Sequence, residues 1–196
     1  MGGRASGGRR TAMLAVAAAL VGVLGSAGEA SAATTLVVAV GGDDSAAGTV
    51  ERPLRTIQRA VDLAGPGDTV VVRGGTYALT DNVSIGVSGT ASQPITLSAY
   101  QGERVVVDGE RLPASHTPVG GSIPRAERGA IHMEASHWRI SGLEIVNGPC
   151  GIYCDGCNGN VFSRISTHDP LDLDSHGNRG PRKNGESVLE LSGFRR

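Results

Sequence analysis

Residues 131–169 read IHMEASHWRISGLEIVNGPCGIYCDGCNGNVFSRISTHD, and this stretch consists of one unit written twice. Each copy holds short strand-length pieces of alternating apolar and polar residues, separated by Ser, Gly, Asn or Cys. Equivalent residues of the two copies are 21 or 22 positions apart: Ile131 and Ile152, Ile140 and Phe162, Leu143 and Ile165, and Asn147 and Asp169. A period in the low twenties, built from short strands and small-residue corners, predicts a solenoid.

The kind of solenoid follows from what one turn must bury. A single turn cannot bury its apolar side chains, but turns stacked on one another form parallel ladders around a continuous core. A leucine-rich repeat has a similar period and places its Leu and Asn residues in an LxxLxL pattern with a following Asn. That pattern is absent here. The sequence therefore predicts an all-β fold, a right-handed parallel β-helix.

Composition agrees with this fold and excludes some partners. The chain has 196 residues, of which 30 are Gly and only 3% are aromatic, and this length suits about one domain. Such a composition suits tight corners and small inward side chains. The formal net charge of −1 provides no global field to attract nucleic acid or an anionic lipid surface.

The first 32 residues form a predicted signal peptide. Arg4, Arg9 and Arg10 give a positive start, an apolar run follows over residues 12–24, and Ala-Ser-Ala at residues 30–32 is a cleavage motif. The apolar run is too short to cross a bilayer as a helix. Arg9 and Arg10 also fit a twin-arginine signal, so the export route stays open. We expect a secreted protein with no membrane segment after cleavage.

Residues 33–68 are predicted to form a first strand and a capping helix. The apolar, β-branched run at residues 34–40 predicts the strand. Residues 52–64 predict a helix, with Pro53 in its first turn, an apolar face, and Gly65 and Pro66 at its end. Because the first coil of a solenoid exposes a strand edge and an open core, we expect the helix to cover that end.

Residues 69–169 are predicted to form the coils, with strands at residues 69–72, 83–87, 94–99 and 104–108 and a corner at 73–77. Residues 111–129, rich in Pro, Ser and Gly, predict a loop that leaves the stack. Residues 170–196 are polar and turn-rich, and we expect an irregular, truncated tail. The C-terminal end of the β-helix is therefore expected to be incomplete.

Several side chains have both a structural and a functional interpretation. The functional alternatives are cation binding by Asp43 and Asp44, sugar stacking by Trp138, and a groove-facing role for His116 in the loop. We prefer a solvated turn for the two aspartates, and a solvated histidine. For Trp138, packing at a coil corner stays an open alternative.

The three cysteines of the mature chain are Cys150, Cys154 and Cys157. In an exported protein these predict a disulfide and one remaining cysteine. A Cys154–Cys157 bond and buried thiols are both compatible with the spacing. A metal site would need His168 as a fourth ligand, since structural zinc takes four.

Longer segments resemble one family of exported β-helix proteins. Residues 38–77 (VAVGGDDSAAGTVERPLRTIQRAVDLAGPGDTVVVRGGTY) and 88–109 (SGTASQPITLSAYQGERVVVDG) look like the opening of pectate-lyase-class β-helices, closest to the polysaccharide lyase family 9 type. Residues 137–169 (HWRISGLEIVNGPCGIYCDGCNGNVFSRISTHD) and 173–187 (LDSHGNRGPRKNGES) resemble the middle coils of that family. The first two segments are widespread among β-helix proteins, so they specify the fold better than the activity.

The resemblance implies a β-elimination reaction on polygalacturonate, an acidic plant polysaccharide (pectate). A Ca²⁺ ion would neutralise the uronate carboxylate, and a lysine of the family would remove the neighbouring C5 proton. In that family the aspartate cluster and the lysine follow the segment that matches residues 182–187. Lys183 lies within that segment and does not match the catalytic base. Asp172 and Asp174 form a DxD pair that could contact a cation, but two carboxylates are too few for a firm site, and we prefer a solvated corner.

We therefore expect a pectate-lyase-like β-helix, cut short before its catalytic coils and with little or no lyase activity. No catalytic, cofactor-binding or metal-binding residue is assigned in this chain, and the Ca²⁺ ligands that the resemblance implies are expected to be absent. The chain is expected to be monomeric if folded. The alternatives are a non-catalytic module that binds a polysaccharide or cell surface, and a purely structural fragment. A hydrolase is disfavoured, since those enzymes need paired carboxylates.

Overall fold

The computed structural model describes residues 1–3, 32–112, 129–148, 151–168 and 190–191. Contacts divide the chain into two units, Met1–Ser31 and Ala32–Arg196. The predicted signal peptide lies outside the described residues, apart from residues 1–3 and Ala32. In the described part of the chain, no helix is both long and apolar enough to span a membrane.

The described residues form one α-helix and thirteen short β-strands. The helix α1 is Ile57–Leu63. The strands are β1 (Thr35–Val38), β2 (Thr69–Val72), β3 (Gly75–Ala78), β4 (Val83–Ile85), β5 (Ile95–Ala99), β6 (Val105–Asp108), β7 (Ile131–Met133), β8 (Trp138–Ser141), β9 (Leu143–Val146), β10 (Ile152–Cys154), β11 (Val161–Ser163), β12 (Ser166–His168) and β13 (Glu190–Leu191).

The strands build three parallel sheets, which the chain visits in turn. Sheet A has the order β1-β2-β5-β8-β11, sheet B the order β3-β6-β9-β12, and sheet C the order β4-β7-β10-β13. Each inner strand of a sheet therefore pairs with the strand one coil earlier and one coil later, each edge strand has one such partner, and every pair is parallel. This is the predicted parallel β-helix.

The register between coils confirms the internal repeat. Ile131 pairs with Ile152 in sheet C, and Ile140 pairs with Phe162 in sheet A. In sheet B, Glu144 pairs with Ser166, which places Leu143 beside Ile165 as the spacing predicted. The fourth predicted pair includes Asp169, which lies outside the described residues.

Alternate side chains of each strand point into a single core. In β5, Ile95 and Leu97 are fully buried while Thr96 and Ser98 are partly exposed. The same alternation recurs in β9. Burial of these aliphatic side chains stabilises the stack by roughly 1.5–3 kcal/mol for each large residue. A one-residue slip would turn every inward side chain outward, so the core fixes the register.

The helix starts later than the sequence pattern predicted. It begins at Ile57 and not at Arg52, and Thr56 is its N-cap, accepting a hydrogen bond from the Arg59 amide at 3.1 Å. Leu54 instead forms a parallel bridge with Val38. The reason is that residues 48–54 form a turn against the outer edge of β1, where the Val37 amide donates to the Gly48 carbonyl and the Leu54 amide donates to the Val37 carbonyl, both at 2.8 Å.

The helix covers the first coil, as expected. Its buried residues Ile57, Ala60 and Val61 join the same core as the strands. Its Gln58 side chain also pairs with the outer edge of β4. The Ser84 amide donates to Gln58 Oε1 at 2.7 Å, and Gln58 Nε2 donates to the Ser84 carbonyl at 3.1 Å. The side-chain amide thus takes the place of a neighbouring strand.

Two boundaries differ from the sequence prediction. The predicted corner at residues 73–77 is shorter, because Gly75, Thr76 and Tyr77 belong to β3 and pair with β6. Tyr77 fits there because its ring is buried in the core and its hydroxyl donates to the Arg73 carbonyl at 2.8 Å. The predicted irregular tail contains β13, since Glu190 and Leu191 pair with β10. The rest of residues 170–196 and most of the predicted loop at 111–129 lie outside the described residues.

Candidate functional site

The outer face of sheet C carries a row of polar side chains, one from each coil. Ser84, His132 and Tyr153 lie at the same register position on β4, β7 and β10. Their neighbours along each strand, such as Ile131 and Met133, are buried in the core, so the three polar residues face outward by the alternation of a strand.

His132 is the most enclosed member of this row. Its side chain is only 1% exposed although it faces outward. Its ring makes a T-shaped contact with the Tyr153 ring, at a centroid distance of 5.5 Å and an interplanar angle of 84°, a favourable aromatic geometry. Its Nε2 atom lies 3.4 Å from Glu134 Oε1. The row and the adjacent Glu134 thus bring together an imidazole, a phenol and a carboxylate.

Two carboxylates end the strands beside this row. Glu134 directly follows β7 and Asp155 directly follows β10. The Glu134 amide donates to the Ile85 carbonyl at 2.9 Å and the Asp155 amide to the Met133 carbonyl at 2.8 Å, so both residues continue the ladder of sheet C. They therefore lie one coil apart, about 4.8 Å along the stack. Both are exposed, and they give this end of the face a negative charge.

The described residues do not fit the calcium site that the family resemblance implies. Ca²⁺ takes six to eight oxygen ligands, mostly from carboxylates. Across the described ranges there is no group of three or more His, Cys, Asp or Glu residues that could hold a metal ion. Glu134 and Asp155 supply two carboxylates, which is too few for a resident Ca²⁺ ion.

A second polar row ties together the coils of sheet B. Arg104 donates to both oxygens of Glu144, at 2.7 and 2.8 Å, and His168 Nε2 lies 2.8 Å from Glu144 Oε1. Hydrogen bonds from Arg104 and then from His168 hold the pKa of the Glu144 carboxyl below its usual value. Because all three groups have a close partner within the row, we interpret it as a structural network between coils.

A groove of about 460 Å³ lies between the start of α1 and strand β3. One wall consists of Arg55, Thr56, Ile57 and Gln58 at the start of the helix. The other wall runs along β3 and its turn to β4, through residues 76–83, and Val40 lies between the two walls. Burial, and then the nearby Glu103 carboxylate, raise the pKa of the Tyr77 hydroxyl to about 12. Tyr77 therefore stays neutral in this wall.

Asp43 and Asp44, the two aspartates considered as cation ligands, have structural roles. Asp44 accepts hydrogen bonds from the Arg55 amide, the Thr56 amide and the Thr56 hydroxyl, all at 2.9 Å. Burial raises the pKa of Asp44, but the hydrogen bonds from Thr56 and Arg55 outweigh this and leave it below its usual value. Asp43 accepts from the amide and hydroxyl of Ser45, both at 2.9 Å. Asp44 is thus an anchor of the helix start, and the preferred solvated turn describes only Asp43.

The structure settles the two interpretations of Trp138. Its side chain is 0% exposed, and its Nε1 donates to the Val87 carbonyl at 2.7 Å. A ring in this position cannot stack on a sugar. The packing alternative is correct, because the indole fills the core and its polar atom has a main-chain partner.

The cysteines form the predicted disulfide, between Cys154 and Cys157. The metal alternative is wrong, because metals bind the thiolate form of cysteine and the two sulfurs are bonded to each other. His168, the fourth ligand considered, instead contacts Glu144. The remaining candidates lie outside the described residues: His116, Cys150, Asp172, Asp174 and Lys183.

Sequence reasoning missed the polar row on sheet C. The signal was present, because the 21-residue spacing of Ile131 and Ile152 also aligns His132 with Tyr153 and Glu134 with Asp155. The period was applied to the inward residues alone. Applying it to the outward residues would have found the row.

Known proteins resemble this chain over most of its length. The sequence model of one protein family, described as the Pel9A-like, right-handed β-helix region, matches residues 36–195. The pectate lyase PEL9 of Emericella nidulans is 43% identical over 173 residues, a match that covers 80% of this chain and 42% of that protein. The chain therefore spans about two fifths of the length of that curated relative.

Solved structures agree on the fold. A rhamnogalacturonan lyase aligns with a TM-score of 0.58 at 21% identity, covering 71% of this chain and 37% of that one. The pectate lyase Pel9A aligns with a TM-score of 0.56 at 20% identity, covering 71% and 34%. At such low sequence identity, these two similarities are evidence for the fold and for nothing further. The family model and the sequence identity go further, and the chain belongs to the Pel9A-like right-handed β-helix family.

Proposed function

We propose that this chain is part of an exported pectate-lyase-like protein that binds an acidic polysaccharide through its β-helix. The observation that carries the proposal is the 43% identity to a pectate lyase over 173 residues. Calcium-dependent β-elimination of polygalacturonate is the reaction that we propose for the family to which the chain belongs. Export is supported by the cleavage motif at residues 30–32 and by the disulfide, which persists in oxidising compartments.

We further propose that the described coils are scaffold and binding surface and do not perform the reaction alone. β-Elimination next to a carboxylate needs a base for the C5 proton and a cation for the developing charge. The described residues lack a set of three metal-ligating side chains, and Lys183, the single lysine of the chain, does not match the family's base.

Activity and binding can be tested together on the purified full chain. Incubation with polygalacturonate, with Ca²⁺ or with a chelator, would be followed by the ultraviolet absorbance of the unsaturated product. Affinity electrophoresis in gels that contain polygalacturonate or a neutral galactan would measure binding in parallel. We expect retardation by polygalacturonate and no product above the protein-free blank. Product formation that a chelator abolishes would contradict the scaffold proposal, and equal migration in both gels would contradict polysaccharide binding.

The alternative of a non-catalytic binding module makes a more specific prediction for sheet C. Glu134 and Asp155 are exposed carboxylates on the same face as His132 and Tyr153, and they repel a uronate chain bound there. The double variant Glu134→Gln, Asp155→Asn should therefore increase retardation by polygalacturonate in chelator at low salt. The double variant Glu51→Gln, Asp62→Asn, which removes two exposed carboxylates outside sheet C, is the matched charge control. Unchanged retardation of the double variant would mean that the polysaccharide lies elsewhere.

A further inference from the structure

The first coil exposes three strand edges, and the described chain covers only two of them. In sheet A, residues 48–54 lie along the edge of β1 and exchange main-chain hydrogen bonds with Val37. In sheet C, the Gln58 amide pairs with the edge of β4 at Ser84. In sheet B, β3 is the edge strand. Among the described residues, no segment pairs with its outer side.

The hydrogen-bond pattern identifies the main-chain groups at this edge. The Gly75 amide donates to the Arg104 carbonyl at 3.0 Å and the Leu79 amide to the Asp108 carbonyl at 2.8 Å, both toward β6. Successive residues of a parallel strand direct their amide and carbonyl groups to opposite sides. Thr76 and Ala78 therefore direct theirs to the outer side. Both residues are exposed, and the described chain provides no main-chain partner for either of them.

This edge opens into the groove between α1 and β3. Thr76 and Ala78 line the groove of about 460 Å³, a volume within the range of about 300–1,000 Å³ for ligand sites. Val40 lines it as well and is 51% exposed although apolar. The charged side chains of its lining are Arg55 and Asp81, which have opposite signs. The groove therefore offers hydrogen-bonding groups at strand spacing, an apolar surface and no net charge.

We propose that the groove binds an extended peptide segment of another protein, which adds to β3 as a further strand of sheet B. The amides of Thr76 and Ala78 are two residues apart, about 6.6 Å along a strand, which matches alternate residues of an extended peptide. An apolar side chain of that peptide covers Val40. The balanced charges disfavour a uronate chain, which carries one negative charge on every sugar. Strand addition of this kind takes its affinity from the main chain and its specificity from alternate side chains.

Amide hydrogen exchange of the full chain tests the proposal. In the free protein, the amides of Thr76 and Ala78 should exchange faster than those of Gly75, Tyr77 and Leu79, which face β6. The probe is the neutral peptide acetyl-Thr-Val-Thr-Val-Thr-amide. Its addition should slow exchange at Thr76 and Ala78 by on the order of tenfold or more. The matched control has the same sequence with every amide methylated, and it should give no protection because neither edge of the peptide can then pair with β3.

A variant of the edge completes the test. Ala78→Pro removes one outward donor, and proline is tolerated on an edge strand when its nitrogen faces away from the sheet. It should abolish protection by the peptide while Tyr77 stays protected, which also shows that the sheet is intact. Equal protection by the methylated control would overturn the proposal. So would protection by galacturonate oligosaccharides in place of the peptide, or protection that rises with protein concentration alone, which would assign the edge to a second copy.

Discussion

The anchoring of the helix start by Asp44 makes a quantitative prediction. Asp44 accepts three hydrogen bonds from Arg55 and Thr56, eleven and twelve residues further along the chain. Asp44→Ala removes all three and leaves the start of α1 without its link to the preceding turn. A hydrogen bond to a charged group contributes about 1.5–3 kcal/mol. Because Asp44 is only partly buried, we expect the free energy of unfolding to fall by about 2–4 kcal/mol in total.

Equilibrium urea denaturation of the full chain, followed by circular dichroism and Trp138 fluorescence, measures this loss. Asp44→Asn is the conservative control, since its amide keeps an acceptor for the main-chain donors and should lose less than half as much. Asp43→Ala is the matched neighbour, and it should have a small effect because its carboxylate contacts only Ser45. Equal losses for Asp44→Ala and Asp43→Ala would refute the anchor.

The same carboxyl predicts a dependence on pH. The pKa of Asp44 in the folded protein is below its ordinary value of 3.8, so the folded state binds the proton less readily than the unfolded state. The stabilisation is therefore fully present above the unfolded pKa and is lost as the pH falls through the folded pKa. The difference in unfolding free energy between the wild type and Asp44→Ala should shrink over that acidic range. A constant difference would show that the charge of the carboxylate is irrelevant.

Three further changes follow from contacts in the coils. Gln58→Ala should lower the free energy of unfolding by about 1–3 kcal/mol and speed amide hydrogen exchange at Ser84. The control is Asp62→Ala, which removes only the other acceptor of the Gln58 side-chain amide. It should leave the Ser84 amide protected. Trp138→Phe keeps most of the buried ring but removes the N–H group that donates to the Val87 carbonyl. The free energy of unfolding, measured by thermal denaturation, should therefore fall by about 1–3 kcal/mol. An unchanged stability would contradict this pairing. Reduction of the Cys154–Cys157 bond opens the loop that the disulfide closes in the unfolded chain, so the free energy of unfolding should fall by about 2 kcal/mol. The double variant Cys154→Ser, Cys157→Ser is the control, and its stability should not change with reductant.

The sequence predicted the coils well because their period is set by the backbone. When strands stack in parallel, each coil repeats the positions of the one before, so a 21- or 22-residue spacing gives the register directly. The inward alternation of apolar residues is equally local. The disulfide followed from cysteine spacing and the expected export, although the spacing alone also allowed buried thiols.

The features that the sequence did not predict depend on distant parts of the chain. Pro53 favours an earlier helix start, but the bridge from Leu54 to Val38 and the hydrogen bonds from Thr56 to Asp44 delay it. The sequence analysis made no prediction for His132, which is only 1% exposed beside Tyr153 although it lies on the outer face of its strand. In each case the deciding partner lies more than ten residues away, and a local pattern carries no information about it.

The covering of the first coil by residues 48–58 has a practical consequence for protein engineering. The turn at residues 48–54 and the Gln58 side chain provide hydrogen-bond partners for the edge strands β1 and β4, which belong to two of the three sheets at that end. Residues 32–68 thus form a lid, whose strand β1 pairs with β2 and whose helix shares the core of the coils. Grafted onto a shortened or designed solenoid, this lid should keep the new protein soluble, provided that the β3 edge is blocked as well.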